Sequence, residues 1–213
     1  MNVHLEQPLY HAGVSLEKCK ALVMLVHGRH QTAQYMLSLV DRINMPQVHY
    51  VALQAANNSW YPQKFMAPLE QNEPHLQFAL ETYHTHITQL VQQGIAKSKI
   101  VLLGFSQGAC LTAEYAVRHA DRYGGILLFT GGVIGPEGTK WNYEGDFKGT
   151  PIFIGCSDQD EWVPEQRVHE TAEIFKRMGA DTTVKIYKGM GHIINDDEIE
   201  QARNILGQVI AQD

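Results

Sequence analysis

Short apolar runs alternate along this chain with longer stretches in which apolar residues return every three or four positions. The runs at 21–27, 49–53, 99–104, 125–130, 151–156 and 183–187 predict strands. Several are unbroken Val, Ile and Leu with little polar alternation, the pattern of strands covered on both faces. The longer stretches at 32–43, 74–93, 107–119, 164–178 and 196–212 predict helices. In the second of these, Leu76, Leu80, Tyr83, Ile87 and Leu90 fall on one face. Repeated strand–helix alternation builds a mostly parallel sheet with helices on both sides. The segment before residue 21 is read as a short strand or hairpin on the sheet edge.

Two segments carry no regular period. Residues 54–73 include Trp60-Tyr61-Pro62, Phe65 and Pro68; residues 131–150 include several glycines, Trp141 and Tyr143. Loops of this length inside a compact domain are usually functional or disordered, and their aromatic content argues against disorder. At 213 residues, the expectation is one domain spanning 1–213.

Bulk properties narrow the function without naming it. The net charge of −6, with no basic run, argues against a nucleic-acid partner. The longest apolar stretch, 21–26, is too short to cross a bilayer, so no stable membrane insertion is expected. Residues 1–10 lack the basic and apolar regions of a signal peptide. Three cysteines, Cys19, Cys110 and Cys156, fit reduced thiols better than a disulfide framework, and the expected location is cytoplasmic. Homodimer formation is left open.

The chemistry is concentrated at Gly104-Phe105-Ser106-Gln107-Gly108, between a predicted strand and a predicted helix. A G-x-S-x-G sequence in that context is a nucleophile elbow, a sharp turn that presents the serine hydroxyl above the sheet edge. A serine hydroxyl needs a base within hydrogen-bond reach, and the base needs an orienting acid. On elbow-bearing sheets the order along the chain is serine, acid, histidine. His192, in Gly189-Met190-Gly191-His192 after the last predicted strand, is the candidate base among eleven histidines. Asp160 is favoured as the acid over Asp158, which lies nearer the strand end and suits a turn. Pro164, four residues beyond Asp160, reads as the first position of the next helix. Asn195 and Glu198 have capping-box spacing, which gives Asp196 and Asp197 a helix-terminal role. The oxyanion donors expected are the backbone N–H groups of Gln107 and Arg29, with Gly28 letting the backbone approach the substrate. Because these are main-chain donors, the side chains at 29 and 107 are expected to matter less than Gly28. His27 is read as a residue that orients this loop. Trp60, Tyr61, Phe65, Met66 and Trp162 are candidates for an apolar substrate-binding wall; pinning the loop to the core is the equal reading for Trp60 and Phe65.

Together, Leu25-Val26-His27-Gly28, the Gly104–Gly108 pentapeptide, Asp160 with Trp162-Val163-Pro164, and Gly189-Met190-Gly191-His192 resemble the phospholipase/carboxylesterase family of α/β-hydrolases, which includes the acyl-protein thioesterases. The resemblance implies an α/β-hydrolase fold and a Ser106–His192–Asp160 triad, and no insertion is long enough to form a separate cap domain. It further implies hydrolysis of carboxylic esters or thioesters without cofactor or metal. The expected function is a serine carboxylesterase acting on small to medium acyl esters, a class that extends to thioesters and lysophospholipids. The alternatives are a compact serine peptidase on the same fold and a ligand-binding protein with little turnover. The chain departs from acyl-protein thioesterases at Arg29-His30, where those proteins typically carry Leu-Gly. It departs again at Cys156-Ser157-Asp158, where a His-Gly-Asp stretch is common. Trp60-Tyr61-Pro62 and Asn72-Glu73-Pro74 look like a bacterial esterase branch.

Overall fold

The structure is a computed structural model that describes residues 1–212. Its strands are β1 (Tyr10–Gly13), β2 (Ala21–Val26), β3 (Val48–Leu53), β4 (Ile100–Phe105), β5 (Gly125–Phe129), β6 (Pro151–Ser157) and β7 (Asp181–Tyr187). Its helices are α1 (Ala33–Leu37), α2 (Leu39–Ile43), α3 (His75–Gln92), α4 (Gln107–Arg118), α5 (Glu165–Arg177) and α6 (Asp196–Ala211). The strands form one sheet in the order β1-β3-β2-β4-β5-β6-β7. Among the described residues, only β1 runs antiparallel, against β3; every other pairing is parallel. The edge strand expected before residue 21 is thus β1.

Strand alternation builds two cores from one sheet. In β4, Ile100 and Leu102 point into a core filled by α3, α4 and α5. Val101, Leu103 and Phe105 point into the opposite core with α1, α2 and α6. All six residues of β4 are buried, as are all six of β2, which is why these strands read as continuous apolar runs. Each Leu, Ile or Val buried in this way contributes about 1.5–3 kcal/mol. β7, at the other edge, is only partly covered, which matches its weaker pattern.

Two sequence expectations are corrected in detail. The helix expected at 32–43 is two short helices that meet at Ser38, where the Ser38 hydroxyl donates to the Tyr35 carbonyl at 2.7 Å. Serine competes for backbone partners in this way and interrupts a regular ladder. Asn44 then ends α2 in the left-handed region, at φ 50°. Pro164 is not the first helical residue of α5 but the cap before it, with ψ 137°. The remaining expected boundaries lie within two residues of those observed.

The topology decides where a site can form. From β2 the chain steps to β3 on one side, then crosses back to β4 on the other. The carboxyl ends of β2 and β4 therefore open a crevice at the point where the winding reverses, the usual ligand position in open parallel sheets. The loops after β6 and β7 end on the same edge.

Candidate active site

Ser106 sits at the turn between β4 and α4 with φ 54° and ψ −121°. A non-glycine residue in this region is strained, by on the order of 1–3 kcal/mol, and persists only where its surroundings hold it. The holding is visible. Ser106 N–H donates to the Phe129 carbonyl of β5 at 3.0 Å, and the Ser106 carbonyl accepts from Cys110 N–H at 3.0 Å. The flanking glycines are required by close approach. A Cβ on Gly108 would strike the Val26 carbonyl oxygen of β2, and one on Gly104 would strike the Gly108 backbone.

The strand-end loops bring the three candidate residues together. Ser106 Oγ lies 2.8 Å from His192 Nε2, and His192 Nδ1 lies 2.7 Å from Asp160 Oδ2. The carboxylate can only accept, so Nδ1 carries the proton and Nε2 is left to accept from the serine hydroxyl. Asp160 Oδ1 accepts from the N–H groups of Trp162 and Val163, each at 2.9 Å. Burial pushes the Asp160 carboxyl up. The hydrogen bonds from His192, Trp162 and Val163 outweigh it and hold the group below the usual carboxylate range. The Asp160 side chain is fully shielded from solvent, whereas His192 retains partial access.

Asp158 occupies a different position: its Oδ1 accepts from Gly189 N–H at 2.8 Å and so shapes the turn that carries His192. Gly189 needs its glycine, since it adopts φ 65°. Ser157 adds a hydroxyl bond to the Met190 carbonyl. At the base of the same loop, the Asn195 side chain accepts from Glu198 N–H and the Glu198 carboxylate accepts from Asn195 N–H, both at 2.9 Å. That reciprocal pair is a capping box on α6.

On the other side of Ser106, Gly28 lies so close that a Cβ there would come within 3.1 Å of Ser106 Cβ. Among the described residues, no hydrogen bond occupies the backbone N–H of Arg29 or of Gln107. Buried His27 holds this loop in place. Its Nε2 accepts from Ala55 N–H at 3.0 Å, so its Nδ1 carries the proton and donates to the Gly28 carbonyl at 2.7 Å. Burial drives its pKa down to about 4, so it stays neutral.

Ser106 and His192 open onto a cleft of about 470 Å³, whose walls include Arg29, Gln107, Tyr61, Phe65 and Trp162. That volume lies within the range of small-molecule sites. Trp162 is 56% exposed at its mouth. Trp60 is corrected: it is not a wall residue. It is fully buried, its Nε1 donates to the His27 carbonyl at 2.8 Å, and its ring packs 5.0 Å from that of His27. Gly28 likewise stands against Ser106 and not on the cleft wall.

Tyr61 stands on the wall as expected and Met66 does not; sequence reasoning missed Cys110 there, and it missed the work of two side chains. The Arg29 guanidinium donates to the carbonyls of Pro62 and Gln63. The Gln107 amide accepts from Trp60 N–H at 2.9 Å and donates to the Tyr61 carbonyl at 2.8 Å. Their long polar reach beside a loop of unpaired carbonyls was the available signal. Among the described residues, no group of three or more His, Cys, Asp or Glu is placed to hold a metal, and no helix is long and apolar enough to cross a membrane.

Comparison with known proteins fits this arrangement. The crystal structure of a phospholipase/carboxylesterase from Dyadobacter fermentans superposes with a TM-score of 0.89 at 44% identity, covering 93% of this chain and 95% of that one. Acyl-protein thioesterase 1 of Gibberella zeae is 26% identical over 87% of this chain and 89% of its own length. The protein of the same name from Emericella nidulans is 29% identical, with the match spanning 66% of this chain and 60% of that relative's length. The sequence pattern of the Phospholipase/Carboxylesterase family matches residues 14–210, and the chain belongs to that family of α/β-hydrolases.

Proposed function

We propose that this protein is a serine ester hydrolase that works through an acyl-enzyme on Ser106. The observation that carries the reading is the continuous relay from Ser106 Oγ through the His192 ring to Asp160, at 2.8 and 2.7 Å, opening on the cleft. His192 Nε2 takes the hydroxyl proton as Ser106 Oγ attacks the ester carbonyl carbon. Arg29 and Gln107 N–H groups receive the negative charge that develops on the carbonyl oxygen. Each such donor is worth about 2.7–4 kcal/mol in the transition state. The imidazolium returns its proton to the leaving oxygen, and the alcohol departs. Water then attacks the acyl-enzyme with His192 as base, releasing the acid and freeing Ser106. No step calls on a cofactor.

The cleft volume and its Tyr61, Phe65 and Trp162 walls favour small to medium acyl groups. Thioesters are the second reading, supported by the relatives named acyl-protein thioesterase 1. They share the chemistry and differ only in the leaving atom. The test is turnover of p-nitrophenyl esters of graded chain length beside the matching acyl thioesters, with Ser106→Ala as control. Expected are hydrolysis that peaks at short to medium chains and a loss of at least ~10³-fold in the variant. Hydrolysis that survives Ser106→Ala overturns the mechanism. Stoichiometric binding without turnover identifies a ligand-binding protein instead.

A further inference from the structure

The two residues that offer backbone donors to the cleft also grip one short segment of its wall with their side chains. Arg29 reaches across from the loop after β2 and donates to the Pro62 carbonyl at 2.5 Å and to the Gln63 carbonyl. Its guanidinium carbon stands 6.0 Å from the Tyr61 ring centre. Gln107, at the start of α4, holds the preceding residues through Trp60 N–H at 2.9 Å and the Tyr61 carbonyl at 2.8 Å. Four consecutive residues, 60–63, are therefore tied by side-chain bonds to residues 29 and 107. The segment is anchored on its far side as well. Buried Asn72 accepts from Gln63 N–H at 2.7 Å, and Nε2 of buried His4 bonds the Trp60 carbonyl at 3.1 Å. The loop after β2 is pinned a second time, by His30 N–H on the Asn58 carbonyl at 2.7 Å.

We propose that Arg29 is a positioning residue for the oxyanion hole: by clamping the Pro62 and Gln63 carbonyls, its guanidinium sets the direction of its own backbone N–H. The geometry calls for such a device. Gly28 is held on both its polar groups, its carbonyl by His27 and its N–H by Gln31 Oε1 at 3.0 Å, and His30 on the other side of Arg29 sits at φ 61°, which leaves the direction of the Arg29 peptide to its own side chain. A planar guanidinium that bonds two adjacent carbonyls fixes orientation in a way a single flexible contact does not. Gln107 holds the same segment at Trp60 and Tyr61, so the wall segment is tied to both donor residues. A donor displaced by about 1 Å costs on the order of 10²-fold in rate. The inference rests on the ester-hydrolase reading above.

The experiment counts active sites before it measures rates. The parent protein, Arg29→Leu and Arg29→Lys are titrated with a fluorophosphonate that labels the nucleophile, and kcat and KM for p-nitrophenyl acetate are then expressed per labelled site. Arg29→Leu is expected to label fully, with kcat reduced about 10²-fold and KM for this short ester little changed. Arg29→Lys, which can reach one of the two carbonyls, should recover part of the rate. Combined with Gln107→Ala, the Arg29→Leu loss should be less than additive, since both act through residues 60–63. If Arg29→Leu keeps the parental kcat per labelled site, with any loss confined to the labelled fraction or to KM, the inference is overturned and the hydrolase reading stands. If the parent neither labels nor turns over ester, both fall together.

Discussion

Two carboxylates two positions apart, Asp158 and Asp160, take different roles because of what each can reach. Asp160 accepts three hydrogen bonds, from His192 and from two backbone N–H groups. Asp158 accepts one from the backbone of Gly189 in the histidine loop. Asp160→Asn replaces the acceptor facing Nδ1 with a group that can present N–H, which favours the wrong imidazole tautomer. The expected loss of kcat is about 10⁴-fold, against less than about 10-fold for Asp158→Asn, measured on the same p-nitrophenyl ester. A larger loss at 158 reverses the assignment. Both aspartates were visible in the sequence as residues after a strand. Choosing between them rested on the distance from the strand end, whereas the structure separates them by hydrogen-bond partners. At Trp60 residue type alone could not tell wall from core, because an indole suits either; the His27 carbonyl accepting its N–H decided for the core.

At the scale of elements, the loop that carries His192 depends on the start of α6. The capping residue Glu198 is fully buried, with one carboxylate oxygen bonded to Asn195 N–H and the other without a partner among the described residues. The unpartnered oxygen faces Gly155 in β6, where even a Cβ would collide with it. Burial pushes the Glu198 pKa up from 4.5 to about 7, against the opposing Asn195 bond. A raised carboxyl pKa in the folded state means that the protonated form is favoured on folding. Its stability is complete below the unfolded value and is lost as pH rises through the folded one. Glu198→Gln keeps a capping partner and removes the charge. The stability of this variant relative to the parent is expected to improve by on the order of 2 kcal/mol between about pH 5 and 8, read from urea unfolding midpoints. A difference independent of pH removes Glu198 as the cause. The capping-box spacing was legible in the sequence. The burial was not, since it depends on a glycine 43 positions earlier in a neighbouring strand.

Across the whole molecule, the packed core beside the sheet seals two of the three thiols from solvent. Cys110 is 2% exposed and Cys156 is fully buried, and burial pushes both thiols up to about 12. Cys19 is only partly buried, its thiol donating to the Leu16 carbonyl at 3.2 Å. Of the three thiols, the native protein should react with a chromogenic disulfide reagent only at Cys19, and all three should react in urea. Rapid native labelling at Cys110 would mean that the cleft wall opens far more than its packing implies. The cleft itself joins residues from Arg29 to His192, so it exists only once the sheet is assembled.

The sheet, its helices and the candidates for the elbow, the acid and the base were legible because each depends on local period or on position at a strand end. Apolar runs bury strands on both faces, a three-to-four period buries one face of a helix, and the elbow glycines answer contacts within one turn and its neighbouring strand. What only the tertiary structure decided is how residues distant in the chain divide the work. Trp60 entered the core, Asp158 became a brace, and Arg29 and Gln107 turned their side chains onto residues 60–63. Those outcomes depend on long-range distances set by the crossover between β2 and β4, and no period in the sequence encodes them.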